Sequence, residues 1–170
     1  MNPMQQVRIE KLTLNFGSGK DQAKLEKGMK LLQAIANRKP VKTITNKRIP
    51  TWGVRPGLPI GCKVTLRKAQ AKDLLRRLIV AKENKVRMKQ FDAQGNLSFG
   101  IPEYIDIQGA RYDPEIGVIG LEACITFEKP GFRIKRRRML RRKVPPRHQV
   151  TKEEAVAFMQ REFQTQVEAS

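Results

Sequence analysis

The chain has 170 residues, one histidine, two cysteines and a formal net charge of +19, from 35 Lys and Arg against 16 Asp and Glu. That length predicts one domain, 1–170, able to bury roughly 70% of its unfolded surface without disulfide or metal staples. No apolar run is long enough to cross a bilayer and no signal-peptide core opens the chain, so no membrane contact and a cytoplasmic location are expected; no catalytic, metal or cofactor grouping is expected either.

Residues 7–16, VRIEKLTLNF, alternate apolar and polar side chains with a change of phase near Lys11, which predicts a strand carrying a bulge. Gly17, Ser18, Gly19 and Lys20 follow. Leu25, Met29, Leu32 and Ala36 then recur at helical spacing and predict a helix that Asn37 and Pro40 stop. Strand, GSGK and helix invite comparison with a nucleotide-binding P-loop. Leu14 stands where the leading glycine belongs, however, and Asp21 where the magnesium-holding Ser or Thr belongs. Two readings stay open: a tight turn, or backbone N–H groups that hold one phosphate.

From Lys27 to Lys72, 46 residues include 12 Lys or Arg and no Asp or Glu. A positive field without local neutralisation points to nucleic acid. Inside this window Val41–Ile44 and Ile60–Arg67 predict strands on either side of a long projecting loop broken by Pro50, Gly53, Pro56, Gly57 and Pro59. Thr43, Thr45, Asn46 and Thr51 supply short polar side chains suited to phosphate and sugar oxygens. Trp52 is either a core residue or an exposed stacking platform. In IGCKVTLR, Ile60, Cys62, Val64 and Leu66 should pack, leaving Lys63, Thr65 and Arg67 on an open cationic face.

Ala69–Lys82 predicts a second helix through Leu74, Leu75, Leu78 and Ile79, ending in the polar AKENK segment. FDAQGNLSFGI carries a hairpin signal, Ile105 and Ile107 predict a further strand, Tyr112-Asp113-Pro114 a turn, and Val118–Phe127 the longest strand. Hairpins interspersed with helices predict an α+β fold, an antiparallel sheet with helices on one face, a long basic loop and a basic C-terminal extension.

That extension covers about 129–150. Lys129–Lys152 is a second acid-free window with 11 basic residues in 24, whereas the other 100 residues hold 12 basic and 16 acidic ones, so all the excess charge lies in the two windows. RIKRRRMLRRK has little apolar content and no partner charge in sight, which predicts poor order until it meets a polyanion. Thr151 and Glu154 form a capping box, and Val156, Met159, Phe163 and Val167 predict a terminal helix over about 152–167. His148 lacks any neighbour that would make it catalytic.

NPM, LTLNFGSG, RKPVKT, RPGLPIGCKVTLR, LLRRLI, FDAQGNLSFGI, EYIDI, YDPEIGVIGL and HQVTKEEAVAFMQ, in this order, resemble the ribosomal large-subunit protein of universal family five. The basic extension and KEEA are similar to its archaeal and eukaryotic branch, whereas RPGLPIGCKVTLR looks more like the bacterial version, which together point to an archaeal-type member. Lys68 stands where the family often has Gly. The resemblance implies a non-enzymatic constituent of the large subunit that binds 5S rRNA in the central protuberance. It places 5S contacts on Asn2, Met4, Asn15, Thr43, Thr45, Asn46 and Lys47, to which the open-face argument adds Lys63 and Arg67. It also implies that the loop Arg48–Pro56, with Arg48, Trp52 and Arg55, reaches peptidyl-site tRNA. Further partners are a small-subunit head protein at an intersubunit bridge, neighbouring 5S-binding ribosomal proteins, and large-subunit rRNA. For the last, the extension offers Arg133, Lys135, Arg136, Arg137, Arg138, Arg141 and Arg142. A free-standing basic RNA-binding or annealing module is the alternative, with the same charge but no preference for 5S rRNA.

Overall fold

The computed structural model describes residues 2–168. Arg8–Gly17 forms β1, Gln22–Ala36 α1, Val41–Ile44 β2, Pro59–Leu66 β3, Lys68–Ala81 α2, Lys85–Arg87 β4, Leu97–Ile101 β5, Leu121–Glu128 β6, Arg133–Arg136 α3, Lys152–Phe163 α4 and Gln166–Glu168 β7. Five strands make an antiparallel sheet in the order β2, β3, β1, β6, β5, and helices pack on it, which is the expected α+β class. A second, two-stranded sheet pairs β4 with β7 in parallel, Val86 opposite Val167.

Contacts gather the chain into two compact units. One collects Met1–Leu12, Arg67–Ser98 and Ile125–Ser170; the other collects Thr13–Leu66 and Phe99–Cys124. In the second unit Leu14 and Phe16 of β1, Cys62, Val64 and Leu66 of β3, and Phe99 and Ile101 of β5 are buried, and α1 lies against β3. In the first, α2 contributes Ala71, Leu74, Leu75, Leu78 and Ile79, and α4 contributes Ala155, Phe158, Met159 and Phe163. Each fully buried aliphatic or aromatic side chain contributes about 1.5–3 kcal/mol, so these two sets supply most of the driving force.

Several local expectations are corrected. The buried face of α1 is Leu25, Gly28, Leu31, Leu32 and Ile35, with Met29 and Ala36 only half covered. Gly28 explains the rotation. A Cβ there would run into the Phe16 ring, so the helix approaches β1 through its one side-chain-free position. Ile105 and Ile107 do not form a strand: Tyr104–Asp106 is a 3-10 turn, and the buried Tyr104 hydroxyl accepts from the Asp113 N–H at 3.0 Å. The strand expected over Val118–Phe127 runs Leu121–Glu128 instead, and β1, not β6, is the longest. The terminal helix stops at Phe163, where Gln164 turns left-handed at φ 53°, and Val167 belongs to β7. The AKENK segment leads directly into β4, which its polar composition concealed.

Candidate nucleic-acid interface

The loop from Thr45 to Leu58 is built from its base outward. Thr45 N–H donates to Leu58 O at 3.1 Å and Gly57 N–H to Thr45 O at 2.9 Å. The Thr45 hydroxyl, buried, also accepts from Lys47 N–H at 3.2 Å, so this side chain shapes the loop from within. Further out, Ile49 and Val54 exchange backbone hydrogen bonds of 2.9 and 3.1 Å around a 3-10 turn, Pro50–Trp52, and Gly53 closes it at φ 65°. The Pro and Gly residues therefore fold the loop into a tight hairpin-like tip rather than holding it extended. Within that tip Val54 is buried, while Lys47, Arg48 and Arg55 stand exposed and Trp52 is 68% exposed. Trp52 is thus not a core residue.

On the flanking strands, Val41 lies opposite Lys63 and Thr43 opposite Gly61. Gly61 has no room for a side chain: a Cβ would lie 2.5 Å from Phe16 O and 3.0 Å from Thr43 Oγ1. Lys63 is exposed and Thr65 half-exposed, as the alternation of β3 requires. Asn15 of β1 donates from Nδ2 to Glu122 Oε2 at 3.1 Å, and Asn46 is exposed. This unit thus holds Asn15, Thr43, Thr45, Asn46, Lys47, Arg48, Trp52, Arg55 and Lys63. The other unit holds Asn2, Met4, Arg67 and the arginines of the extension. Asn2 caps its own turn by accepting from Met4 N–H at 3.0 Å, with the Met4 side chain half exposed.

The GSGK turn is a structural turn. Ser18 and Gly19 both donate their N–H groups to Ile60 O, at 3.0 and 3.1 Å, and the Asp21 carboxylate, not an anion from outside, caps α1 at Lys24 N–H. The Ser18, Gly19 and Lys24 N–H groups are thus spent within the chain rather than held out to a phosphate. Cys62 is fully buried, and burial pushes its thiol up to about 11, so it stays neutral and inert at neutral pH.

The windows that lack acids in sequence do not lack them in space. Lys30 Nζ lies 2.7 Å from Glu115, Arg67 Nη1 3.1 Å from Glu10, and Lys72 Nζ 2.8 Å from Glu162. The hydrogen bond to Glu115 raises the Lys30 pKa, and the same bond lowers that of Glu115. Among the described residues Lys47, Arg48, Arg55 and Lys63 form no ion pair. Lys27, Arg38, Lys39, Lys42 and Lys68 of the same window are exposed and likewise form no ion pair among the described residues, so the field left over covers the loop, β3 and their surroundings and is reduced where α1 and α2 meet acids.

The extension is also partly tied. Arg136 Nη2 lies 2.6 Å from Glu128 and 2.9 Å from Glu10, and Arg8 joins the same cluster through Glu128 at 2.7 Å. Both carboxylates are nearly buried. The expectation that the arginine run lacks partner charge is corrected, because the strands bring Glu10 and Glu128 to it from distant parts of the chain. Arg137 Nε donates to Leu140 O and Arg141 Nε to Arg137 O, each at 2.8 Å, while Arg133, Lys135, Arg138 and Arg142 are exposed. Lys129, buried, reaches Glu154 at 2.7 Å and Gln149 O at 3.2 Å. Sequence reasoning missed these anchoring carboxylates. For Glu10 the one signal was charge at the phase of β1 that buries Leu12, Leu14 and Phe16, together with the phase change near Lys11.

Two family profiles match the chain: Ribosomal protein L5 over residues 2–55, and the C-terminus of the same ribosomal family over residues 59–159. The chain is 48% identical to a large ribosomal subunit protein uL5 of Nanoarchaeum equitans, over 98% of each sequence. A protein of the same description from Methanosphaera stadtmanae is 43% identical, covering 99% of this chain and all of its own, and one from Sulfurisphaera tokodaii is 45% identical, covering 96% and 93%.

Proposed function

The chain belongs to the ribosomal L5 protein family, in its archaeal form, and from that premise we propose that it binds 5S rRNA and helps attach it in the central protuberance. As a family member it is a structural constituent of the large ribosomal subunit, not an enzyme, and works in the cytoplasm among rRNA and ribosomal proteins. The proposal extends to the partners. The whole chain acts as one rRNA-binding domain; Asn2, Met4, Asn15, Thr43, Asn46, Lys47 and Lys63 meet 5S rRNA, with Thr45 shaping their loop. Arg48, Trp52 and Arg55 at the loop tip meet peptidyl-site tRNA, the extension meets large-subunit rRNA, and the protein forms half of a bridge to a small-subunit head protein. Arg67 serves 5S rRNA only as a cation shared with Glu10.

One observation carries this reading: Lys47, Arg48, Arg55 and Lys63 stand exposed and, among the described residues, without acidic partners on a hydrogen-bonded loop and its supporting strand. Such cations release counterions from phosphates, while short polar side chains and the shape of the sheet select a folded RNA. The test is a filter-binding titration of 5S rRNA against a length-matched RNA. Wild type should prefer 5S rRNA, Lys47→Gln with Lys63→Gln should weaken it about tenfold or more, and Arg48→Gln with Arg55→Gln should spare it while loosening tRNA. Equal affinity for both RNAs would instead return the free-standing module, and equal effects of the two variant pairs would overturn the division of the surface.

A further inference from the structure

The extension and the adjoining ends of β1 and β6 enclose a groove of about 900 Å³. Its walls differ in kind. Lys11, Lys135, Arg141, Arg142 and Lys143 give it a cationic rim, while Phe127, Phe132, Val144, Pro145, Pro146 and Val150 give it apolar surface. Glu10, the one acid in the lining, already faces Arg67 and Arg136. The rim is organised in advance: Arg136 is fixed by Glu128 and Glu10, and Arg142 N–H donates to Ile134 O at 3.1 Å. Phe132 is half-exposed with its ring centre 6.1 Å from that of His148, whose Nε2 is in turn 2.6 Å from Pro130 O. The sole histidine is therefore a prop for an aromatic side chain. Gln94 and Gln149 bring amide groups into the same groove.

Cations for phosphate, a flat aromatic and proline surface, and amides that read a hydrogen-bonding edge are what an unpaired nucleotide requires. A duplex cannot use the last two, because its bases are stacked inside and its deep groove admits no side chains. The size also fits, since pockets for ligands of nucleotide dimensions run from roughly 300 to 1,000 Å³. We propose that this groove takes a splayed-out nucleotide of ribosomal RNA, its base against Phe132 and the Pro145-Pro146 pair and its flanking phosphates on Arg141, Arg142 and Lys143. The inference deepens the reading of the extension as an rRNA contact and rests on it.

The test uses the full chain, a short single-stranded RNA carrying 4-thiouridine, and a fully paired duplex of equal length. Wild type should bind the strand about tenfold more tightly than the duplex, within what one stacked base contributes, and ultraviolet crosslinks should map to Phe132 or to the segment 145–150. Gln94→Trp places bulk in the groove from an exposed turn whose Gln94 N–H to Asp92 bond of 2.9 Å is kept. It should erase the preference for the strand and leave duplex affinity and 5S binding through the loop unchanged. Gln149→Trp, from another part of the wall, should do the same. Crosslinks confined to residues 47–55, or a Gln94→Trp protein that still prefers the strand, would overturn the groove. If Lys47→Gln weakened 5S binding in that same series, the rRNA reading would survive without it. Tighter binding of an acidic peptide than of the strand would assign the groove to a protein instead.

Discussion

Two residues show how single backbone positions decide local structure here. Gly28 is inside α1, where alanine is normally favoured by about 1 kcal/mol. The Phe16 ring nevertheless occupies the space of any Cβ, so Gly28→Ala should destabilise the protein by about 1–3 kcal/mol in a denaturant titration. An unchanged or higher midpoint would mean that the ring can step aside. Lys68 poses the opposite case. It begins α2 at φ 56°, a left-handed conformation that costs a residue with a side chain about 1–2 kcal/mol and costs glycine almost nothing. Lys68→Gly should therefore raise stability by about 1 kcal/mol, and a loss would show that its side chain supplies more than its backbone costs. The departure from glycine noticed in the sequence is thus a real site of strain.

Among the elements, α4 begins with a capping box in which the Thr151 hydroxyl accepts from Glu154 N–H at 3.3 Å and Glu154 Oε2 accepts from Thr151 N–H at 3.1 Å. Thr151→Ala should cost about 1 kcal/mol by chemical denaturation. Burial pushes the Glu154 carboxyl up, but the Lys129 ammonium and the Thr151 N–H outweigh it and hold the carboxyl below its usual value. A depressed carboxylate contributes stability above its unfolded pKa of about 4.3 and loses it as pH falls through the lower folded value. Acid should therefore loosen the start of α4, and Lys129→Met should remove that part of the pH dependence. This cap was legible in sequence because both partners are local. So were the strand faces of β3 and the turn at Asp113, where period-two alternation and side-chain turn chemistry act over a few residues. The β4 and β7 pair was not, since a single valine between two polar residues at each site acquires a partner only through the fold. Nor was the Glu10, Glu128 and Arg136 cluster, whose members have no common local pattern. Trp52 lay between these cases: the Pro and Gly breaks marked a loop, but only the folded tip, in which Val54 is buried and Trp52 is not, shows which side chain is left outside.

For the whole molecule, formal charge overstates the charge available to a polyanion. Lys30, Arg67, Lys72, Lys129 and Arg136 are already engaged with carboxylates, so neutralising one of them should alter the salt dependence of RNA binding little. Among the described residues Lys47, Arg48, Arg55 and Lys63 are not, and each that meets a phosphate should lower the log-log salt slope by about 0.7–0.9 when neutralised. Filter binding of RNA at a series of salt concentrations, comparing Lys30→Gln with Lys47→Gln, checks this; equal slopes would show that the ion pairs open on binding. The charge segregation read from sequence was therefore correct in sign and place but too broad, because α1 and α2 turn some of their cations toward acids elsewhere.

The interleaved make-up of the two units sets an order of events during synthesis. The unit of Thr13–Leu66 and Phe99–Cys124 has all its residues once position 124 has left the exit tunnel, whereas the other awaits α4 and β7, which are made later. A nascent chain halted soon after β6 emerges should already protect α1 and β3 from protease, while α2, though made earlier than β6, stays cleavable until its last partners arrive.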